Sequence, residues 1–219
     1  MGRWAPDARG RLERAALELF AEKGFAATTV PEIAERAGLT TRTFFRHFAD
    51  KREVIFAGDE IPRTARDYLE TAPADLAPMA LILDGLSQVA TERFAGRRKE
   101  ITAIRRMILA EEQLRERDAR KRADLTSAVR DGFIRRGTPH PEAALLAETA
   151  VALWHAALDE WLSREDETPL AAVIAECYAR LRHAVLEVGP GAVAGNALEP
   201  PTAPPGRRRR RRPAPDSAA

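Results

Sequence analysis

Residues Thr28–Lys51 read TTVPEIAERAGLTTRTFFRHFADK, and the punctuation of this stretch predicts two short helices joined by a tight turn. Thr29 followed three residues later by Glu32 is a capping box, in which each side chain satisfies a free backbone N–H at a helix start. Pro31 falls in the first turn, where a missing N–H costs nothing. Ile33, Ala34 and Ala37 then share one helical face, and Gly38 ends the helix where a left-handed backbone is cheapest. Leu39 plugs the space between the helices. Thr40 caps the second helix, expected from Thr41 to about Phe48, with Phe44 and Phe48 inward and Thr41, Arg42, Thr43 and Arg46 outward. Threonine and arginine can meet base edges, while Arg, Lys and hydroxyls hold phosphates. A helix–turn–helix that reads DNA is the expectation. The alternative is a solvated helix face, since helix, glycine turn and helix is common in all-α proteins.

Upstream, Leu12, Ala15, Ala16, Leu19 and Phe20 recur at three- and four-residue spacing, an amphipathic helix from about Gly10 to Lys23. Gly24 stops it, and Phe25 returns to the same core. Residues 1–9 read as a flexible arm, with Arg3, Arg9 and Arg11 approaching the first helix; such an arm can lie along a phosphate backbone or enter a minor groove, and disorder with no role is the equal alternative. Downstream, Asp50 can cap a fourth helix, with Glu53 as its reciprocal partner. Lys51 at that terminus is expected to hold a phosphate together with the free N–H groups. Pro62 predicts a kink or break near Glu60–Ile61.

The stretch Ala16–Phe56, ALELFAEKGFAATTVPEIAERAGLTTRTFFRHFADKREVIF, resembles the N-terminal domain of the TetR family of bacterial one-component transcriptional regulators. The resemblance is close over the first quarter of the chain and extends beyond it only in length and helical character. It implies a phosphate contact for Thr29, entry to the reading helix at Thr40, and an exposed first turn of Thr41, Arg42 and Thr43 in the major groove. Arg42 is the foremost base reader, because a guanidinium matches the two acceptors of guanine. His47 matches a phosphate-binding histidine and Lys51 the family's lysine at the head of the fourth helix. Phe45 departs from the pattern: a tyrosine usual there offers a hydroxyl to a phosphate. Arg46 compensates with charge.

Beyond Pro73 the pattern is helical throughout: Leu76–Phe94, Arg97–Leu109, Gln113 to about Arg136, Pro141 to Leu162, and Thr168 to about Val188, the last with Thr168 as cap and Pro169 as its first residue. The final two are the least polar. A helix apolar on more than one side must bury more than one side, and the family resemblance implies an intermolecular four-helix bundle built by residues 141–162 and 169–188 of each subunit. Packing within a monomer is the rival reading.

The chain has 219 residues, 31% charged and 45% apolar, in the range of a soluble globular protein. Ten Lys and Arg face eight Asp and Glu over residues 1–55, 19 face 23 over 56–188, and six face two over 189–219. A basic head on an acidic body suits a protein that touches DNA at one end. The tail holds six consecutive arginines, Arg207–Arg212, among Pro and Ala; it is too poor in apolar residues to fold, and either adds sequence-independent affinity for polyanions or has no specific role. No apolar run of membrane-spanning length and no secretory signal are present, so a cytoplasmic location and no membrane partner are expected. Cys177 is the single cysteine, excluding an internal disulfide; a small buried hydrophobe is the main reading and a redox sensor the lesser one.

Neither a metal-ligand spacing nor a nucleotide loop nor a GxSxG elbow appears, so no catalytic residues, cofactor or metal are expected. The fold expected is all-α: an arm (1–9), a three-helix helix–turn–helix domain (10–56), a larger helical ligand-binding and dimerisation domain (57–188) and a disordered tail (189–219). The function expected is a homodimeric repressor on double-stranded DNA, its reading helices roughly 34 Å apart on a palindromic operator, released by a small-molecule effector. Phe94, Met107, Phe133, Trp154, His155 and Trp161 are the candidate walls of the effector pocket. The alternative is a helical partner-binding or architectural DNA-associated protein without an effector.

Overall fold

The computed structural model describes residues 7–56 and 61–187. Among these residues there are ten α-helices and no strand, the all-α architecture expected. Four helices form the head: α1 (Ala8–Lys23), α2 (Val30–Arg36), α3 (Thr41–His47) and α4 (Lys51–Ile55). Six more follow: α5 (Ile61–Thr71), α6 (Pro78–Phe94), α7 (Arg98–Ala110), α8 (Glu112–Arg135), α9 (His140–Ser163) and α10 (Leu170–Glu187). The chain forms two compact units, residues 1–180 and 181–219. In the second unit the described residues 181–187 are helical, and Leu181, Val185 and Leu186 are exposed. The arginine-rich tail lies outside the described residues, as does Arg3 of the expected arm.

Several boundaries differ from expectation for identifiable reasons. The first helix starts at Ala8, because Asp7 accepts the Gly10 N–H at 2.9 Å and so satisfies one of the free donors of that turn. Arg9 is therefore helical, bonded to Glu13 at 2.9 Å, and belongs to no arm. The fourth helix stops at Ile55, and Pro62 is the second residue of α5, a place where no N–H is needed; Glu60, the site of the expected kink or break, lies outside the described residues. The next helix begins at Pro78 rather than Leu76, which is exposed ahead of it. The last begins at Leu170. Pro169 lends its carbonyl to Ala172 and Val173, while the Thr168 carbonyl is already taken by Arg98 at 2.8 Å and Trp161 Nε1 at 3.0 Å.

The head encloses one core, in which Leu12, Phe20, Ile33 and Phe44 are almost wholly buried. Ile108 of α7 and Leu114 of α8 belong to that same core, with Ile104 and Met107 packed on it. The head is thus seated on α7 and α8 by apolar contact. A half-buried ion pair adds to the joint, Glu53 of α4 with Arg117 of α8 at 2.7 Å. That pairing takes Glu53 away from the reciprocal cap expected with Asp50.

In the body, α8 packs against α5 and α9. Gly132 permits the first contact: a Cβ there would lie 2.5 Å from Leu69 Cδ1. Arg136 then fastens the C-terminus of α5, donating to the carbonyls of Leu69 at 2.8 Å and Ala72 at 2.9 Å. Trp154 and Trp161 of α9 pack with Val173, Ile174 and Cys177 of α10. Burial pushes the Cys177 thiol up, as suits a core residue rather than a redox sensor.

Candidate nucleic-acid interface

The surface offered by α3 depends on how firmly that helix is held. Its start is fixed by the turn before it. Gly38 adopts φ +63, and the Gly38 N–H reaches Glu35 O at 2.8 Å while the Leu39 N–H reaches Ala34 O at 2.8 Å. These are the two bonds of a Schellman ending, which needs a left-handed residue at the glycine. Thr40 accepts the Thr43 N–H at 3.1 Å, and the Thr40 and Thr43 hydroxyls lie 3.0 Å apart. The inner side is held by Phe44, fully buried, and Phe48, with ring centroids 5.4 Å apart. Arg9 lies over the Phe48 ring at 5.5 Å.

The outer side is as the spacing predicted. Arg42 and Arg46 are exposed, Thr41, Thr43 and His47 are half-buried, and Thr40 is exposed at the helix entry. Arg42 has no hydrogen-bond or ion-pair partner among the described residues. Phe45 leaves 56% of its surface in solvent and meets Phe44 edge-on at 5.5 Å. A large aromatic exposed beside two arginines is costly for an isolated surface and apt for a ring that lies on a partner.

Two expected phosphate contacts are redirected. The three protons of Lys51 point at carbonyls, Phe25 at 2.8 Å, Thr28 at 2.9 Å and Ala26 at 3.3 Å, and its ammonium lies 4.4 Å from the Phe25 ring centroid. Burial accordingly lowers its pKa. Lys51 therefore closes the loop between α1 and α2. Two of the free N–H groups of α4 are also taken, because Asp50 accepts from Arg52 at 2.8 Å and Glu53 at 3.2 Å. Thr29 is the second case. The Glu32 carboxylate accepts both its N–H at 2.8 Å and its hydroxyl at 2.7 Å, so the hydroxyl proton is spent on the capping box. Bonds from Lys23 and Thr29 hold the Glu32 carboxyl down at about 2.

Three supporting residues carry no sequence signature of this role. Arg11 donates to the Ala37 carbonyl at the end of α2. Arg36 forks onto Glu22 of α1 with two bonds of 2.9 Å. Buried Thr28 donates to Gly24 O at 2.8 Å, joining the end of α1 to the start of α2. Each is a long-range or loop contact, visible only once the helices have docked.

Residues 13–57 match the pattern of the bacterial regulatory proteins of the tetR family. The N-terminal domain is of the TetR family. The HTH-type transcriptional regulator TcmR of Streptomyces glaucescens is 48% identical over 75 residues, 32% of this chain and 32% of that protein. The HTH-type transcriptional repressor KstR2 of Mycobacterium tuberculosis is 43% identical over 61 residues, 28% of this chain and 29% of that protein. The matched stretch thus spans about a third of these relatives. The TetR-like fold extends further. NalD of Pseudomonas aeruginosa, the secondary repressor of the MexAB-OprM multidrug efflux pump, superposes with a TM-score of 0.57 at 19% identity, over 81% of this chain and 96% of that one. A transcriptional regulator from Aquifex aeolicus gives 0.53 at 20% identity, over 81% and 99%.

Below the TetR-type head, two open cavities lie among the described residues of the body. The larger, about 290 Å³, is walled by Ile55 and Phe56 at the end of α4 and by residues of α5 to α9, including Phe94, Trp154 and His155. The smaller, about 70 Å³, is almost wholly apolar and reaches Phe133 and the other side of Trp154. Two expected wall residues reach neither cavity. Met107 packs on the head core instead, because the head sits on that side of α7. Trp161 is buried between Phe94 and α10, with Arg98 4.8 Å above its ring and its Nε1 bonded to the Thr168 carbonyl. His155 Nδ1 is buried without a hydrogen-bond partner. Burial and the nearby Arg122 lower its pKa to about 4, so the imidazole is neutral at physiological pH.

Proposed function

We propose that the chain is a sequence-specific DNA-binding transcriptional regulator, a homodimeric repressor that a small-molecule effector releases from a palindromic operator. The observation that carries this reading is Arg42: exposed, without an internal partner, on a helix locked at its start by the Schellman turn and the Thr40 cap. Thr41, Thr43 and Arg46 flank it toward the groove. His47, half-buried beside Phe48, holds a phosphate, and Phe45 covers the sugar backbone. Thr29 and Lys51 act by positioning rather than by contact, since their donors are engaged within the head. The names of the relatives, a regulator and a repressor, agree with this assignment.

The dimer reading rests on α9 and α10. Leu145 of α9 is 69% exposed, and Leu181, Val185 and Leu186 of α10 are exposed in turn. Large aliphatic side chains repeated on two long helices favour burial in a second copy. The cavity beside α4 favours an effector-controlled regulator over an architectural protein. No described helix is long and apolar enough to cross a membrane, in keeping with action on chromosomal DNA in the cytoplasm.

Selection of duplexes from a random pool by the full-length protein tests the proposal. Enrichment of an inverted repeat whose half-sites are one helical turn apart is the expected result. Enrichment of nothing, or of a single half-site bound by a monomer, would overturn it. Leu145→Glu combined with Leu186→Glu should give a monomer by sedimentation that loses the inverted repeat.

A further inference from the structure

The larger cavity is apolar along most of its wall, with Ile55, Phe94, Ile101, Ile104, Ile108 and Trp154 among its surfaces. Among the described residues its charged lining is mainly basic: Arg93, Arg97, Arg105, Lys121 and Arg122, with Asp118 as the carboxylate. That carboxylate is shared: Arg105 reaches it at 3.2 Å and Arg122 at 2.8 Å. The other partner of Arg105, Asp159, is half in solvent and lies outside the lining. Both guanidiniums converge on a single carboxylate oxygen, Asp118 Oδ2, so acceptors are scarce where they meet. His155 adds a buried Nδ1 with no partner.

We propose that this cavity takes an amphipathic organic anion, its acid group meeting Arg105 and Arg122 beside His155 and its apolar part lying along Phe94, Ile104 and Trp154. The inference rests on the effector-controlled reading above and names the effector's chemical class. A carboxylate supplies the acceptors the two guanidiniums lack, and charge-assisted bonds to arginine are the strongest of their kind. A neutral apolar molecule would fill the walls and leave Arg105 and Arg122 sharing one carboxylate oxygen. A cation would meet both guanidiniums. At about 30 Å³ per water, 290 Å³ holds on the order of ten non-hydrogen atoms, the size of an eight-carbon acid.

The position of the cavity gives binding a route to the head. Ile55 and Phe56 are both wall and end of α4, and Ile104 and Ile108 face the cavity while belonging to or packing on the head core. Lys121, another wall residue, lies 5.1 Å from the Phe56 ring centroid. An occupant therefore touches the element that carries the head. It shifts operator affinity to the extent that it binds the two head positions unequally.

The test uses full-length protein with octanoate, 1-octanol and octylammonium, read by tryptophan fluorescence and thermal shift without DNA. Octanoate should bind at least ten-fold tighter than octanol, with no binding of the amine. Arg122→Met should bring octanoate down to the level of octanol, and Arg122→Lys should keep most of the preference. If Arg122→Met loses its helical circular dichroism, His155→Phe replaces it and should likewise narrow the gap between acid and alcohol. Equal binding of acid and alcohol, binding of the amine, no binding of octanoate, or unchanged octanoate affinity in the variants would overturn the proposal. Operator binding is measured separately. Anion preference without any selected operator would sink the regulatory reading alone, and a selected operator without anion preference would sink this inference alone.

Discussion

Replacing Arg42 by alanine isolates base reading from everything else the head does. Arg42 is exposed and has no partner among the described residues, so the substitution should leave stability within about 0.5 kcal/mol. On DNA, a guanidinium paired with guanine discriminates by about 1–3 kcal/mol. A dimer makes the contact twice, so the cognate duplex should lose about 2–6 kcal/mol, or about 30-fold to about 10⁴-fold in affinity. On a scrambled duplex only a charge is lost. There the slope of log K against log salt should change by at most about 0.9 per head. Fluorescence anisotropy of both duplexes across a salt series, beside a thermal melt of the free protein, measures all three quantities. Equal losses on both duplexes would move Arg42 to a phosphate, and a clear fall in Tm would mean that the residue supports the fold.

Gly38→Ala should destabilise the head by about 1–2 kcal/mol, the cost of a left-handed alanine, and more where the new Cβ, 2.8 Å from Arg11 Nη2, drives Arg11 off the Ala37 carbonyl. Gly96→Ala is the control, since φ is +72 and nothing lies within 4 Å; an equal Tm loss in both variants would deny Arg11 a role. Phe45→Tyr restores a hydroxyl on an exposed ring and should raise operator affinity about three- to ten-fold with the salt slope unchanged, because a neutral donor releases no counterion; no gain would place the ring away from any phosphate. For His155 the folded pKa, about 4, lies below the unfolded 6.5. Below pH 6.5 the unfolded chain takes up a proton that the folded chain refuses, so its contribution is complete above 6.5 and drains away down to about 4. Urea titrations of wild type and His155→Phe should differ in slope over that window, and parallel curves would mean that the imidazole is hydrated.

The head was legible because its signals are local. The Thr29–Glu32 cap, the Gly38 turn and the Phe44–Phe48 face each involve residues within six positions, and each stands where the spacing put it. Errors arise where a side chain has a distant partner to choose. Lys51 and Glu53 both carry charges that a helix start can use, but docking brings the Phe25 and Thr28 carbonyls to the first and Arg117 to the second. Met107 and Trp161 fail as cavity walls for the same reason. Periodicity shows that a residue is turned inward, and cannot say whether the inside is a void, the head core or the next helix.

Those redirected side chains also explain how the head can be stiff and still be moved. Arg11, Thr28, Arg36 and Lys51 bond α1, α2 and the loop before α2 to one another and to α4, and the Gly38 turn, the Thr40 cap and buried Phe44 hold the reading helix on them. The contacts to the body are of another kind. They comprise an apolar seat on α7 and α8 and the Glu53–Arg117 pair, whose side chains keep over a quarter of their surface in solvent. Apolar contact is non-directional and a partly exposed ion pair is weak, so this seat resists rotation less than the bonded interior of the head does. In the proposed dimer, a small change at the cavity wall formed by Ile55 and Phe56 would therefore turn the head as one piece, altering the spacing of the two reading helices without disturbing the geometry of either.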